Sequence, residues 1–502
     1  MKFKQRDVIR ATHKIPEIRY EDPDETSLTS FAGLVIFQSL FQRLRIRQQL
    51  QLCFGHLRSS AIYPTSVVVL WLITHLLLGF RRLRDRDYYA DDPLVQRVLG
   101  LHRLPDVATI SRSLSEMDST AVTAYRSCVR ELVLDRVEQE QLKRVTLDFD
   151  GSVFSTSRHA EGTAIGFNKK KKGARSYYPL FCTVAQTAQL LDLHHRPGNV
   201  HDSNGARPFI RECVEQVRTR LPQAKLEARL DSAFFDEKLL MELALEYVEF
   251  TVTVPFERFA RLKTIVEQRG QWDRIDDTWS YFECDWKPES WLMGFRILVL
   301  RQKKTQPTKG PLQLDLFEPK SHLYEYQAII TWKQSGAKSV MDFHHGRGAQ
   351  EGIFAEAKSH CQMEYVPVRG LCGNQVYCWS AVVAHNLTRE LQMQTADHQH
   401  RTTPKRRNLW GFETLGTLRQ RLIRRAGRLI RPQGLSQRRP EQLSHLLLVG
   451  RARHIEPAQE QGLLPHGHRK RRTCRQHDWR EKHRTGPGSS QFEHDRRQQH
   501  CG

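Results

Sequence analysis

The sequence predicts an α/β protein, and three observations support this fold class. From residue 144 onward, alternating apolar residues mark three strands, followed by a helix, a strand, a second helix and another strand. A mostly helical region precedes this part of the chain. A Trp-rich, strand-like segment interrupts it before helical spacing resumes.

This order of strands and helices is typical of the ribonuclease-H-like fold. In that fold the first and fourth strands lie side by side, and each offers an acid to one metal site. We therefore predict a ribonuclease-H-like catalytic domain with a β-strand insertion, preceded by a mostly helical N-terminal region.

Residues 1–140 are predicted to form a helical, DNA-binding N-terminal region. The segment 34–50 is amphipathic, whereas 66–80 is the longest predominantly apolar run of the chain. That run is too short to cross a bilayer, so we expect a buried helix. The segment 104–114, "LPDVATISRSL", has a turn, a threonine cap and a basic helix, as a helix-turn-helix would, although any two packed helices could give this pattern.

The remaining boundaries follow changes in pattern. Residues 141–256 and 336–400 form the two halves of the predicted catalytic domain, and 257–335 form the β insertion. Residues 401–434 are expected to be basic and helical. The tail 435–502 is rich in Arg, His and Gln without an apolar period, so we expect it to be disordered or aberrant, with an ordinary basic nucleic-acid-binding tail as the alternative.

Composition favours a polyanionic partner. The formal net charge is +22 at pH 7, and Lys and Arg are spread along the chain, which favours nucleic acid over a membrane surface. The ten cysteines are scattered, and Cys372 with Cys378 lacks the spacing of a zinc or thioredoxin-like site. Because no signal peptide is recognisable at the charged start, we expect a cytoplasmic protein.

Two aspartates project together from the first strand. Because successive strand side chains point to opposite faces, Asp148 and Asp150 share one face, and Leu147 and Phe149 share the other. An edge strand with a solvated acidic face, or an Asp-Gly turn at Asp150, would explain the same pattern. Asp231 ends the fourth strand, where the fold would place a second acid.

A third acid lies in "HHGRGAQEGIFAEAK", where Arg347, Glu351 and Lys358 are spaced to share one stripe of a helix. Such a stripe is commonly a solvated salt bridge. Alternatively, the glutamate binds metal while the two cations hold phosphates. Hard divalent ions such as Mg²⁺ prefer carboxylate oxygens, and two such ions can activate an attacking oxygen and stabilise a leaving one.

These motifs resemble those of the DDE transposases of bacterial insertion sequences. Five segments agree in order: "LDFDGSV", "GFNKKKKGARSYYPLF", "RPGNVHDSNGA", "ARLDSAFF" and "GRGAQEGIFAEAK". More narrowly, the sequence is similar to the insertion-sequence 1380 family, in the group with a Tyr-x2-Arg-x3-Glu-x6-Lys signature. The resemblance covers about residues 30 to 434, and it implies a bacterial protein that is nucleoid-associated when bound to DNA.

The resemblance implies roles for the site residues. It assigns catalysis and the binding of two Mg²⁺ ions, with Mn²⁺ as a substitute, to three acids: Asp150, Asp231 and Glu351. It assigns DNA-phosphate contacts to Arg347 and Lys358. His344 stands where the signature has tyrosine, and its neutral imidazole can stack on DNA or hydrogen-bond to it.

A basic loop between the first two strands is expected to bind backbone phosphates, although a solvated turn is the alternative. Its cations are Lys169, Lys170, Lys171, Lys172 and Arg175. Four residues with a metal-like composition are expected to be structural or substrate-facing: His194, His195, His201 and Asp202. The tryptophans of the insertion are expected to lie mostly in the core, although the family resemblance suggests that one stacks on a displaced base.

We therefore predict a DNA transposase that binds the terminal inverted repeats of its element, cleaves a phosphodiester and joins the freed 3′-hydroxyl to target DNA. Its expected partners are double-stranded DNA, at element ends and target, and a second copy in a homodimer, without a membrane. Two alternatives remain: a ribonuclease-H-like endonuclease that does not join strands, and a DNA-binding remnant that has lost catalysis.

Overall fold

The computed structural model describes residues 27–429, except 59, 61, 157–158, 167, 169–170, 202–203 and 305–322. The helices are α1 (Leu34–Arg43), α2 (Ile46–Phe54), α3 (Thr65–Leu78), α4 (Pro93–Leu99), α5 (Val107–Ser115), α6 (Ser119–Gln139), α7 (Ala206–Arg220), α8 (Glu237–Leu245), α9 (Ala260–Gln268), α10 (Ala337–His345), α11 (Ala349–His360), α12 (Leu371–Thr395) and α13 (Leu415–Leu418). The strands are β1 (Leu28–Thr29), β2 (Arg144–Gly151), β3 (Phe154–Thr156), β4 (Ala164–Ile165), β5 (Arg175–Tyr177), β6 (Leu180–Val184), β7 (Gln189–His194), β8 (Lys225–Leu230), β9 (Glu249–Thr253), β10 (Asp273–Arg274), β11 (Trp279–Cys284), β12 (Arg296–Lys303), β13 (Tyr324–Thr331) and β14 (Gly427–Arg428).

Nine of the described strands form one mixed sheet in the order β10-β11-β12-β13-β9-β8-β2-β6-β7. The central strands β2, β8 and β9 are parallel, and β6 and β7 continue the sheet as an antiparallel hairpin. The predicted adjacency of the first and fourth strands is confirmed, because β2 pairs with β8. Leu147 and Phe149 face a core formed with α7 and α8, so the alternation read from the sequence also holds.

The predicted insertion is strand-rich and extends the same sheet. Strand β13 pairs with β9, and β12, β11 and β10 follow in antiparallel order. The insertion also contains α9, a helix that the strand-like reading of 257–335 missed. Leu262 and Val266 of α9 are buried against the core of the sheet, which explains why this segment is helical.

The N-terminal helices share a core with α11, α12 and α13. The run read as a buried helix is α3, in which every residue except Val67 is buried, and α3 packs against α12. Gly79 ends α3 in the left-handed conformation with φ of 93°. Among the described residues no single helix is long and apolar enough to span a membrane. The pair Thr65–Leu78 and Leu83–Tyr89 together has the length and composition of a membrane span, but the two helices are bent by 73°.

The capping residue of α5 differs from the sequence-based expectation. Asp106, and not Thr109, caps the helix, because its carboxylate accepts a hydrogen bond from the Thr109 amide at 2.7 Å. An aspartate at this position satisfies an otherwise unpaired amide of the first turn. Ile110 and Leu114 are the buried residues of α5.

The region expected to be basic and helical, 401–434, is mostly not helical where it is described. It forms an extended loop, the short α13, a π-helical turn at Arg419–Ile423 and β14, which pairs with β1. Leu409 and Trp410 are buried and fix the loop by tertiary packing rather than by helical spacing. The predicted tail 435–502 lies outside the described residues.

Candidate active site

Polar side chains line the face of the sheet opposite the α7 and α8 core. In the parallel register of β2 and β8, Thr146 lies beside Glu227 and Asp148 beside Arg229. Continuing that register by two residues places Asp150 beside Asp231, at the carboxyl ends of both strands. The two sequence-predicted aspartates therefore lie at the same edge of the sheet, as expected for neighbouring parallel strands.

Asp148 is a structural acid. Its two carboxylate oxygens accept hydrogen bonds from Arg229 Nε at 2.5 Å and Nη2 at 2.7 Å, and both side chains are fully buried. Arg229 also donates to the backbone carbonyls of Phe343 and Lys405. A bidentate pair of this kind satisfies both charges inside the protein, so Asp148 is committed to holding β2 against β8.

Asp150 lies nearer to solvent and pairs with Arg347. The Arg347 Nη1 to Asp150 Oδ2 distance is 3.2 Å, and the side chains are 22% and 21% exposed. Arg347 lies in the 3-10 turn Gly346–Gly348 that separates α10 from α11. The predicted single helical stripe is therefore wrong at its first residue. A glycine is required at the start of this turn, because a Cβ at Gly346 would lie 2.0 Å from the Lys405 carbonyl oxygen.

Asp231 and Glu351 complete the set of predicted acids. Asp231 is partly exposed and caps a short 3-10 helix by accepting from the Ala233 amide at 2.9 Å. Glu351 is exposed in the first turn of α11. Its neighbour Gln350 is buried and donates to the Asp148 carbonyl at 2.9 Å, which fixes the start of α11 against β2. All three acids thus belong to elements that are anchored at the carboxyl end of β2.

The family described as "Transposase DDE domain group 1" matches residues 17–437. The chain belongs to this family. No curated protein matches it. Among solved structures it is similar to a piggyBac transposase in a synaptic complex with hairpin DNA, with a TM-score of 0.38, 12% sequence identity, and 78% of this chain and 79% of that chain covered. DDE transposases generally use divalent metal ions.

The donor set of this DDE domain fits a hard divalent ion, because all three predicted ligands are carboxylates. Among the described residues, however, no three His, Cys, Asp or Glu side chains lie close enough together to hold a metal ion. Asp150 forms an ion pair with Arg347, and the Asp231 carboxylate accepts a hydrogen bond from the Ala233 amide. Metal ligation by Asp150, Asp231 and Glu351 therefore stays a prediction.

Lys358 of the DDE domain lies close to the first acidic strand. Its ammonium donates to the Val153 carbonyl at 3.1 Å and sits 5.5 Å from the centroid of the Phe154 ring. Val153 is three residues after Asp150. The structure thus brings Lys358 to the chain that leaves β2, and its contact with DNA phosphate stays a prediction.

His344 does not fit the expected contact with DNA. The imidazole is 4% exposed and lies between two hydroxyls, with Nδ1 3.0 Å from Thr251 Oγ1 and Nε2 2.8 Å from Thr253 Oγ1. Burial, assisted by the charge of Arg347, lowers the pKa of His344 to about 3. The signature position is therefore occupied by a neutral side chain that joins α10 to β9, and DNA cannot reach it in this arrangement.

The predicted basic loop is only partly described. Lys171 and Lys172 are exposed, as a phosphate-binding loop requires, whereas Lys169 and Lys170 lie outside the described residues. Arg175 belongs to β5 in a small sheet with β3 and β4, and its Nε donates to Thr163 Oγ1 at 2.9 Å. The segment between the first two strands of the main sheet, β2 and β6, therefore contains a small sheet as well as the basic loop.

The other predicted candidates lie mostly in structural positions. The His195 ring packs edge-on against Tyr177, and burial lowers the pKa of His195 to about 3. His194 and His201 are exposed, and Asp202 lies outside the described residues. Among the tryptophans, Trp286 and Trp291 are buried, while Trp332 is 36% exposed.

Sequence reasoning missed the buried charges that support the acids. Glu227 is fully buried on β8 and pairs with Lys333 and Arg406. A signal was present in the alternation "LEARLD", which places Glu227, Arg229 and Asp231 on one face, as "TLDFD" does in β2. The cationic partners of Glu227 come from distant segments and have no local signal.

Proposed function

We propose that this protein is a DNA transposase of the insertion-sequence 1380 type, with a ribonuclease-H-like catalytic domain. It binds the terminal inverted repeats of its element, cleaves DNA and transfers the strand to a target. The observation that carries the proposal is the parallel pairing of β2 with β8, at whose carboxyl ends Asp150 and Asp231 lie, in a chain of the DDE family.

In this proposal Asp150, Asp231 and Glu351 hold two Mg²⁺ ions. When bound, such ions activate the attacking oxygen and stabilise the leaving oxygen of an in-line displacement at phosphorus. The buried Asp148–Arg229 pair and the Gln350 hydrogen bond keep the supporting strands and α11 in place. Arg347 neutralises Asp150 in the free protein and can turn to a DNA phosphate when DNA enters.

Duplex DNA is the proposed partner, in agreement with the net charge of +22. Pairing of two element ends requires two active sites, so we propose a homodimer in the active complex. The exposed Lys171 and Lys172 lie in the loop between β4 and β5, and they are proposed to contact the DNA backbone.

The first test is cleavage and strand transfer with the element's end DNA and Mg²⁺. We expect Glu351→Ala to lower the cleavage rate at least about 1000-fold, because a lost metal ligand removes several kcal/mol of transition-state stabilisation. Binding of the same DNA should change by less than about twofold. Glu215→Ala, an exposed acid on α7 at the opposite face of the sheet, is the matched control and should behave as wild type.

Three outcomes would contradict the proposal. Cleavage at the wild-type rate by Glu351→Ala would remove the third acid from the site. Cleavage without a joined product on a marked target DNA would indicate an endonuclease that does not transfer strands. If wild type and Glu351→Ala bind alike and neither reacts, the chain is a binding remnant.

A further inference from the structure

The loop between α12 and α13 forms a closed strap over the sheet. We define the strap as residues 399–409. Its two ends meet, because the amides of Gln399 and His400 donate to the Leu409 carbonyl at 2.8 and 3.0 Å. The Leu409 amide donates to the Gln186 carbonyl at 2.9 Å, which ties the base of the strap to the turn between β6 and β7.

Buried ion pairs fix the strap to the strands that carry the acids. Arg406 donates to both carboxylate oxygens of Glu227, at 2.7 and 2.9 Å. The Lys405 carbonyl accepts from Arg229 at 2.9 Å. The same carbonyl lies against Gly346, next to Arg347. The strap therefore runs along the polar face of the sheet and ends beside the turn that contacts Asp150.

At its other end the strap borders a cavity of about 1190 Å³. This cavity opens at the amino-terminal edge of β2 and β8, which is the edge opposite Asp150 and Asp231. Lys143, Lys225 and Arg401 line it and are exposed. The two lysines are neighbours, because the Lys225 amide donates to the Lys143 carbonyl at 3.0 Å.

The cations of this region divide into two groups. Those that point inward are paired: Arg144, Lys333 and Arg406 all contact Glu227. Those that point outward are exposed and form no ion pair with another described residue: Lys143, Lys225, Arg401, Lys405 and Arg407. The outer surface of the strap and cavity is thus cationic, whereas the charges beneath it are neutralised. We call these five residues the cationic track.

We propose that the cationic track binds the phosphate backbone of duplex DNA, from the strap to the edge of the sheet opposite the acids. The proposal deepens the proposed function, on which it rests, by naming a second DNA-binding surface. Neighbouring like charges repel one another in the free protein, and a polyanion removes that repulsion while releasing its own counterions. Six residue steps of β2 lead from Arg144, which follows Lys143 of the track, to Asp150, so the far end of the track lies ~20 Å from the acids.

A duplex that is held at the acids can reach the track. At 3.4 Å per base pair, ~20 Å corresponds to about six base pairs. Lys405 and Arg407 lie between the two ends, so the contacts can be continuous along the strap. Because the strap is anchored by Arg406 to β8, DNA bound to it has a fixed position relative to Asp231.

The test compares two sets of three charge removals in the full chain. The track variant carries Lys143→Gln, Lys225→Gln and Arg401→Gln. The control variant carries Arg211→Gln, Lys238→Gln and Arg261→Gln, which are exposed cations of α7, α8 and α9 at the opposite face of the sheet. Thermal unfolding verifies that both variants fold. DNA binding is measured by fluorescence anisotropy over a range of salt concentrations.

We expect the slope of log K against log salt to become less negative by about 2 to 3 in the track variant, since each lost phosphate contact contributes about 0.9. The control variant should keep the wild-type slope. One arm uses a duplex with the element end and another an unrelated duplex. If the slope changes with both duplexes, the track binds DNA of any sequence. If the slope changes with the end duplex alone, the track binds the element end.

A track variant with the wild-type slope would overturn this inference and would favour an acidic protein partner for the surface. If wild type still cleaves and joins DNA in that case, the proposed transposase function stands without the track. If wild type neither binds nor cleaves DNA, the proposed function and this inference both fail.

Discussion

His344 occupies a signature position, but its buried imidazole contacts neighbouring strand residues instead of solvent. It lies between the hydroxyls of Thr251 and Thr253, and so it joins α10 to β9 one turn before Arg347. Its folded pKa of about 3 lies below the ordinary histidine value of 6.5. The unfolded chain therefore binds the proton more tightly. The stabilisation is complete above about pH 6.5 and is lost as the pH falls toward 3.

We expect His344→Asn to flatten the dependence of stability on pH. Between pH 5 and 6, the slope of the unfolding free energy against pH should fall by up to about 1.4 kcal/mol per pH unit, because one proton uptake is removed. Urea denaturation at several pH values measures this slope. His102→Asn, at an exposed position, is the control. A loss of DNA affinity at pH 7.5 in folded His344→Asn protein would restore the direct DNA contact suggested by the signature.

The two aspartates of β2 mark the limit of sequence reasoning at this scale. Alternation was enough to place Asp148 and Asp150 on one face. It could not separate their roles, because the partner of Asp148 is Arg229, 81 residues away. Burial raises the pKa of the Asp148 carboxyl, and Arg229 opposes that rise. Only the paired register of β2 and β8 shows which acid is left at the surface.

Among the elements, one buried acid links the strap to the sheet by ion pairing. The Glu227 carboxylate of β8 accepts hydrogen bonds from Lys333, which follows β13, and from Arg406 of the strap. Burial alone would raise the pKa of Glu227, but these two cations lower it to about 2. Since the folded pKa lies below the ordinary value, the stabilisation is present above about pH 4.5 and is lost as the pH falls toward 2.

We expect Glu227→Gln to lower the free energy of unfolding at pH 7 by about 3 to 5 kcal/mol, because it leaves the guanidinium of Arg406, which is largely buried, without a counter-charge. Between pH 4.5 and 2 the wild type should lose about 3 kcal/mol of unfolding free energy as Glu227 is protonated, and the variant should lack most of this loss. Denaturation with urea over this pH range measures both effects. Glu325→Gln, an exposed acid of β13, should leave them unchanged. An unaffected Glu227→Gln protein would show that the buried network does not hold the strap.

Local patterns predicted most elements but not their breaks. Strands β2, β6, β7, β8 and β9 follow from apolar alternation, and α7 and α8 from helical spacing. The separation of α10 from α11 was missed because Arg347, Glu351 and Lys358 keep helical spacing across it. The 3-10 turn Gly346–Gly348 lies between the two helices, where the Lys405 carbonyl approaches Gly346 from a distant segment.

Across the described part of the chain, two large hydrophobic cores hold the elements together. The core of the sheet combines α7, α8 and α9 with the insertion strands. The other core joins the N-terminal helices to α12 and to β7. Pairing of β13 with β9 and packing of α3 on α12 are long-range contacts, so composition and periodicity could give the segments but not their assembly.

The shared core leads to a prediction about residues 1–140, the predicted N-terminal region. A helix that is apolar all round, as α3 is, needs neighbours on every side, and α12 provides one of them. We therefore expect the isolated fragment 1–140 to lack a cooperative thermal transition and to bind a hydrophobic dye, while the full chain unfolds cooperatively. Circular dichroism and dye fluorescence measure the difference. A cooperative transition in the fragment, without dye binding, would instead make this region an independently folding domain whose contact with α12 is dispensable for its stability.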